Sequence, residues 1–391
     1  MQKLITKLDK NKILLTIFSF LMFVAFDHII ISFPLAMNYM GYKENVIGYF
    51  ISIFGISIVI WRIILARMTN RLSVFQIALI ASLVNCIAPI FYYLVDDLFL
   101  LMIVRIFHAI SPAGFVFSTQ MLLMGTVDQK RMGTAVSLFG MTSSFSLLIA
   151  PAVAIELVSM SKGFLYPVIA SSLISILALG LFIFLDVKKI RKDMEKSKPT
   201  FLKPSNIFNK EISIDKLYPS LLHFLFSFCY IGIISFVSIY AKKTGIEHPG
   251  LFFTLLAVSS VICRLYVAKK LNYEMDTKYL KIIWTISAIG AILLIWGQFN
   301  WNFYISAVFM GIGFGGVKTI LLTVLVRVFP SQKRSSTAQF ANAFDLGKVI
   351  GSFIAGYIIS FTSYQFLFLI MGFLLFIPAI ANNYIMGRYK L

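Results

Sequence analysis

An aspartate and a histidine stand side by side in "FVAFDHIIISFP", residues 23–34, inside a run that is otherwise almost wholly apolar. Arg105 and His108 interrupt a second such run, Lys318 a third, and Asp345 with Lys348 a fourth; Arg62, Arg264, Glu156 and His223 lie nearer the ends of others. An ionisable group at the centre of an apolar helix costs about 2.5–3.5 kcal/mol on insertion scales, so it persists where it faces a cavity or a partner. Carboxylates in such places change their proton affinity with their surroundings, histidines titrate near neutrality, and buried guanidinium or ammonium groups hold anions. The chemistry on offer is therefore proton handling through Asp27, Asp345, His28 and His108, and anion binding through Arg105, Lys318, Lys348 and Arg264. Cys86, Cys229 and Cys263 have no metal or redox spacing and read as packing residues. No metal site is expected, since no ligand spacing supports one. No cofactor is expected either. "FMGIGFGG" (309–316) lacks the strand and the Gly-Lys-Ser/Thr of a phosphate loop and reads as a close-packing stretch.

The elements that hold these groups follow from composition. The chain has 391 residues, 59% hydrophobic and 13% charged, with 39 Phe, more apolar surface than a soluble fold can cover. Stretches of about 20 apolar residues, enough to cross the hydrocarbon core as helix, occur at 12–36, 46–66, 73–95, 98–122, 133–157, 164–186, 217–241, 250–269, 279–299, 302–326, 337–360 and 364–386. Helix is required, because a lipid-facing segment must satisfy its own backbone hydrogen bonds. The expectation is an all-α membrane protein of twelve transmembrane helices.

The net charge of +19 raises nucleic acid as a partner. The placement of the charge argues against it. Only Lys43, Lys162, Lys242 and Lys243 fall in the loops of one side. The opposite side holds the basic residues before the first span, Arg67 and Arg71, Lys130 and Arg131, the central linker, and the clusters at 269–281, 327–334 and the C-terminus. That bias places both termini in the cytoplasm, with the first apolar run retained as a span rather than cleaved as a signal. The lipid bilayer, not nucleic acid, is the partner.

The one long polar segment, 187–216, starting "VKKIRKDMEKSKP", divides the chain into an N-terminal six-helix bundle (1–186), a cytoplasmic basic linker (187–216) and a C-terminal six-helix bundle (217–391). Internal repetition supports the division. "IWRIILARMTNR" (60–71) aligns with "ICRLYVAKKLNY" (262–273), pairing Arg62 with Arg264, and "DQKRMGTA" (128–135) aligns with "SQKRSSTA" (331–338) at nearly the same offset. Two matches in one register indicate a duplicated six-helix unit, the parallel-repeat build of transporters whose site lies near the midplane.

A rise of 1.5 Å per residue puts Asp27 roughly 13 Å and Arg105 roughly 10 Å from the outer ends of their spans, and Lys318 and Asp345 each roughly 12 Å from the inner ends. The expected pairs are Asp27 with Arg105 and Asp345 with Lys318. The repeat equates Asp27 with Cys229, Arg105 with Ala307, Asp345 with Ser143 and Lys318 with Val116. Charges that merely held the shared fold would be copied into both halves, so their asymmetry favours substrate or proton handling; a static bridge locking helix packing is the competing reading. Arg62 and Arg264 sit at equivalent repeat positions near the cytoplasmic ends and read as gate residues, with Arg67, Arg71, Arg131 and Arg334.

These features resemble the major facilitator superfamily over nearly the whole length. "ARMTNR" (66–71) is similar to the family's basic motif between helices 2 and 3, with Ala66 and Asn70 replacing its glycine and aspartate. "RIFHAISPAGF" (105–115) resembles the helix 4 motif, with Arg105 in the arginine's place. "LLIAPAVAIEL" (147–157) is a degenerate helix 5 antiporter motif that keeps Pro151 but has Ala150 and Ala154. "GLFFTLLAVSSVICRLYVAKKL" (250–271) and "FANAFDLGKVIGSFIAGYI" (340–358) are similar to bacterial exporters of opine-type metallophores, the staphylopine exporter branch. The resemblance implies two pseudo-symmetric bundles, helices 1 and 4 lining the cavity, and a monomer in a bacterial cytoplasmic membrane. It also implies proton-coupled export of a small anionic chelator. Multidrug efflux and import of a small organic anion are the alternatives; an enzyme is not expected, since no nucleophile and base share a suitable spacing.

Overall fold

The computed structural model describes the backbone of residues 10–69, 71–125, 132–197, 214–270, 273–328 and 333–387. Its elements in chain order are α1 (Lys10–Tyr39), α2 (Glu44–Met68), α3 (Val74–Leu94), α4 (Leu98–His108), α5 (Ile110–Gly125), α6 (Met132–Ser161), α7 (Leu165–Phe182) and α8 (Val187–Ser197). There follow α9 (Ile214–Ile234), α10 (Val237–Thr244), α11 (Gly250–Lys270), α12 (Tyr273–Leu293), a 3-10 turn (Leu294–Trp296), α13 (Asn300–Val328), α14 (Lys333–Phe361) and α15 (Tyr364–Gly387). Among the described residues, 11 stretches are long and apolar enough to cross a membrane, and the apolar Tyr364–Ile380 makes the twelfth expected span.

Three expectations change in detail. The fourth span is two helices meeting at Ala109. Pro112, in the first turn of α5, has no N–H for the His108 carbonyl, so the ladder is interrupted there. The seventh span is likewise divided, into α9 and α10, and α10 ends at Gly245, whose φ of 76° is the left-handed cap glycine adopts without strain. The linker begins as a helix: α8 buries Ile190 with Leu15, Leu122, Leu123 and Leu185.

Large apolar side chains stand exposed in rows at helical spacing: Leu173, Ile176 and Leu177 on α7, Ile262, Leu265 and Tyr266 on α11, and Phe373, Ile377 and Ile380 on α15. In water such rows would be driven together; against lipid tails they need no cover.

The chain forms two compact units, one of Met1–Phe33 with Ile56–Ser205 and another of Pro34–Gly55 with Asn206–Leu391. The change of unit within α1 falls at Pro34. In the first unit α3 packs against α5 and α7. Aromatic side chains fill the space between α1 and its neighbours: the Phe18 ring meets Phe182 edge-on at 4.7 Å and the Phe23 ring meets Phe115 at 5.1 Å.

In the second unit α9 runs along α14 and α11 along α13. Lipid offers no hydrophobic drive between helices, so close backbone approach supplies the contact. Glycines permit it: Gly311 and Gly315 on α13 lie on the backbone of Leu256 and Ser260 in α11, and Gly351 on α14 lies on the Phe228 carbonyl in α9. The "FMGIGFGG" stretch is thus a packing surface. The hairpin Pro34–Gly55 joins this unit through Ser52, whose hydroxyl reaches the Val349 carbonyl at 2.8 Å and the Ser352 hydroxyl at 3.1 Å. Glu44 Oε1 accepts from Lys243 Nζ and from the Tyr364 hydroxyl, both at 2.6 Å.

A side chain at a glycine crossing should push two helices apart. Gly351→Val is expected to lower the thermal midpoint of the purified protein by several degrees, in line with the ~1–3 kcal/mol of overpacking. Gly180→Ala, whose new methyl group has nothing within 4 Å, should leave it unchanged or raise it. Equal midpoints for Gly351→Val and the parent would show that the α9–α14 crossing does not depend on close approach.

Candidate functional site

The first unit holds Asp27, His28, Arg105 and His108, all buried. Asp27 is on α1 and its Oδ2 accepts a 2.6 Å hydrogen bond from the Ser146 hydroxyl of α6. His28, beside it, is 2% exposed, and neither ring nitrogen has a hydrogen-bond partner among the described residues.

Arg105 and His108 occupy the last turn of α4, just before the Ala109 break, three residues apart and on one face. Trp61 of α2 donates its indole N–H to the Ile106 carbonyl at 2.9 Å, a further fastening of that turn. The guanidinium is 1% exposed. Its Cζ lies 3.8 Å from the centre of the Phe33 ring, and Nη1 donates to the Tyr92 hydroxyl at 3.3 Å. A cation over an aromatic face, with an oxygen to receive its N–H, is a protein substitute for water. Tyr92 Oη is 2.8 Å from His108 Nδ1, and His108 Nε2 is 3.2 Å from Asn85 Oδ1. Asn85 also receives Ser111 Oγ at 2.9 Å and donates Nδ2 to Ser175 Oγ at 2.8 Å. A polar line thus runs from α4 through α3 to α7, within a layer of apolar and aromatic side chains.

The second unit holds the other group. Lys318 of α13 and Lys348 of α14 place their Nζ atoms 5.6 and 5.9 Å from the centre of one ring, Phe344. Arg264 of α11, Asp345 of α14 and Lys348 are the charged groups that act on Lys318. The four residues expected from sequence are therefore gathered here as three cations with one carboxylate, all half-buried. His223 of α9 lies flat on Phe340, 3.8 Å between ring centres, with Phe344 at 4.8 Å, and its Nδ1 is 3.0 Å from the Phe340 carbonyl. Tyr230 and Phe314 stack at 4.7 Å and extend the aromatic wall.

Of the expected gate residues, Arg62 and Arg264 are half-buried on α2 and α11, and Arg67 and Arg71 are exposed. Arg131 lies outside the described residues, and so does the side chain of Arg334.

Sequence reasoning missed Asn85, Tyr92, Ser146, Phe33 and Phe344, which complete the surroundings of the charges. Asn85 and Tyr92 carry a usable signal, a spacing of seven that puts two polar groups on one face of α3. Ser146 and the phenylalanines carry none, since such residues abound in every span.

Comparison with known proteins agrees with this architecture. The chain is 23% identical over 364 residues to the staphylopine export protein of Staphylococcus aureus strain Mu50, covering 89% of each. Its fold superposes on the nucleoside transporter NupG with a TM-score of 0.74 at 16% identity, over 98% of this chain and 100% of that one. A human organic anion transporter, MFSD10, superposes with a TM-score of 0.61 at 11% identity, over 95% of this chain and 98% of that one. A model of the Major Facilitator Superfamily matches residues 15–344. A match over most of the length, on a chain of twelve apolar spans, establishes that the protein belongs to the Major Facilitator Superfamily and is a transporter, not an enzyme.

Proposed function

We propose that the protein is a proton-coupled exporter of a small carboxylate-bearing metabolite, of the metal-chelating kind, in a bacterial cytoplasmic membrane with both termini inside. The observation that carries this reading is the excess of buried or half-buried cations. Lys318 and Lys348 share the ring of Phe344, Arg264 and the carboxylate of Asp345 act on Lys318, and Arg105 is buried in the first unit. Positive charge inside an apolar bundle is costly, and a carboxylate-bearing substrate complements it. The likeness to the staphylopine export protein supports outward transport of such a molecule, and the basic residues of the loops support the orientation.

Asp27 and Asp345 are the proton carriers in this account. Pairing of Asp27 with Arg105, and of Asp345 with Lys318, at one stage of the cycle and not at another would change each carboxylate's proton affinity. The Ser146 hydroxyl holds Asp27 Oδ2 at 2.6 Å and so fixes the place of the carboxylate. His28 is placed to pass the proton on, with no existing bond among the described residues to break. Arg62, Arg67 and Arg71 belong to the cytoplasmic closure.

Everted vesicles with an imposed pH gradient test this. A panel of iminodiacetate-type anions should be accumulated in response to the gradient, whereas lipophilic cations should not; the reverse preference would make the protein a multidrug exporter. Asp27→Asn should abolish gradient-driven accumulation while normal amounts of protein reach the membrane. Accumulation with unchanged pH dependence would remove Asp27 from coupling.

Lys318→Gln should weaken binding of the transported anion about 10- to 100-fold, the worth of a charge-assisted hydrogen bond. Unaltered affinity in a titration of the purified variant would return Lys318 to a purely structural role.

A further inference from the structure

The polar line beside Arg105 has a direction that chemistry dictates. The Ser175 hydroxyl donates its proton to the Ser171 carbonyl at 2.8 Å, so towards Asn85 its oxygen can only accept. Asn85 must therefore present Nδ2 to Ser175 and Oδ1 to the opposite side, where it receives Ser111 and His108. An amide oxygen cannot donate, so the proton of the His108 ring is on Nε2. In the neutral ring Nδ1 is then an acceptor, and the hydrogen of the Tyr92 hydroxyl points to it. The Tyr92 oxygen is left with its lone pairs for Arg105 Nη1. Were the ring an imidazolium, Tyr92 would receive from both sides and its own hydrogen would have no acceptor in the relay. Arg105, Tyr92, His108, Asn85, Ser111 and Ser175 are all buried, which leaves little room for another arrangement.

We propose that Asn85, Tyr92 and His108 are positioning residues that set the orientation of the Arg105 guanidinium through this one-way relay, with His108 acting as a fixed Nε2–H tautomer and not as a proton carrier. The proposal rests on the reading of Arg105 as an anion contact. Phe33 fixes one face of the guanidinium and Tyr92 fixes one edge, so the plane of the group has a defined aim. Planar recognition of a carboxylate depends on that aim more than on the charge itself. Tyr92 further packs edge-on against Phe33 at 5.6 Å and at a tilt against Phe164 at 5.6 Å, so a phenylalanine in its place keeps the packing and loses only the relay.

The test uses the full chain in lipid nanodiscs with nitrilotriacetate as probe, together with its transport in vesicles. Tyr92→Phe should raise the KM and the Kd for the probe about tenfold with little change in maximal rate. The same substitution made on top of Arg105→Gln should add nothing, because the two act through one group. His108→Asn, whose Oδ1 can replace Nδ1 as the acceptor for Tyr92, should lose less affinity than His108→Leu, which offers Tyr92 no acceptor. Independent, additive effects of Tyr92→Phe and Arg105→Gln would overturn the proposal. So would loss of the pH response of transport in His108→Asn, which would make His108 a carrier. Nitrogen-15 spectra of histidine-labelled protein, with His108 assigned from the His108→Asn variant, give a readout independent of ligand: an Nε2–H ring is expected, and an Nδ1–H ring or an imidazolium overturns the relay. Failure of the parent to bind any carboxylate probe, with the expected tautomer present, would overturn the anion reading and the purpose assigned to the relay while leaving its geometry intact.

Discussion

A guanidinium that water does not reach must be solvated by protein, and much of the first unit is organised around that requirement. Arg105 rests on Phe33 and donates to Tyr92, and Tyr92 in turn depends on His108 and Asn85. The geometry draws on four helices: α1 supplies the ring, α3 the tyrosine and the amide, α4 the cation and the imidazole, and α7 the terminal serine. Pro112 interrupts the helix one turn beyond and α4 ends at His108. A bundle held together by lipid-indifferent apolar contacts gains its specificity from such a satisfied polar line, because a misplaced helix would leave buried donors and acceptors without partners.

The second unit solves a different problem. Its helices approach through glycines, at Gly311 and Gly315 on α13 and Gly351 on α14; Lys318 and Lys348 share the ring of Phe344, and Arg264 and Asp345 act on Lys318. The charges there, three cations with one carboxylate, are less buried than Arg105.

Much of the fold was legible in the sequence, because lipid imposes simple rules. Twelve apolar runs of sufficient length had to be helices. The breaks at Ala109 and after Ile234 were not foreseen, although Pro112 stood in plain view; a hydropathy run reports length, not continuity of the hydrogen-bond ladder. The cation group of the second unit was also legible, since Lys318, Lys348, Arg264 and Asp345 are rare residue types in apolar surroundings. The Arg105 surroundings were only half legible. Sequence spacing finds charges by their cost; Asn85 and Tyr92 show only a shared face of α3, and Ser146 is cheap in a helix and declares itself only through the partner it satisfies.

The central claim is that this transporter moves a small chelating anion outward, and it is tested most directly in the cell of origin. Small metal-binding carboxylates would be compared by mass spectrometry inside cells and in spent medium of metal-starved cultures, with and without the gene. The account predicts a chelator that accumulates inside and disappears from the medium on deletion, with restoration by the intact gene. Identical chelator profiles, inside and out, would contradict it.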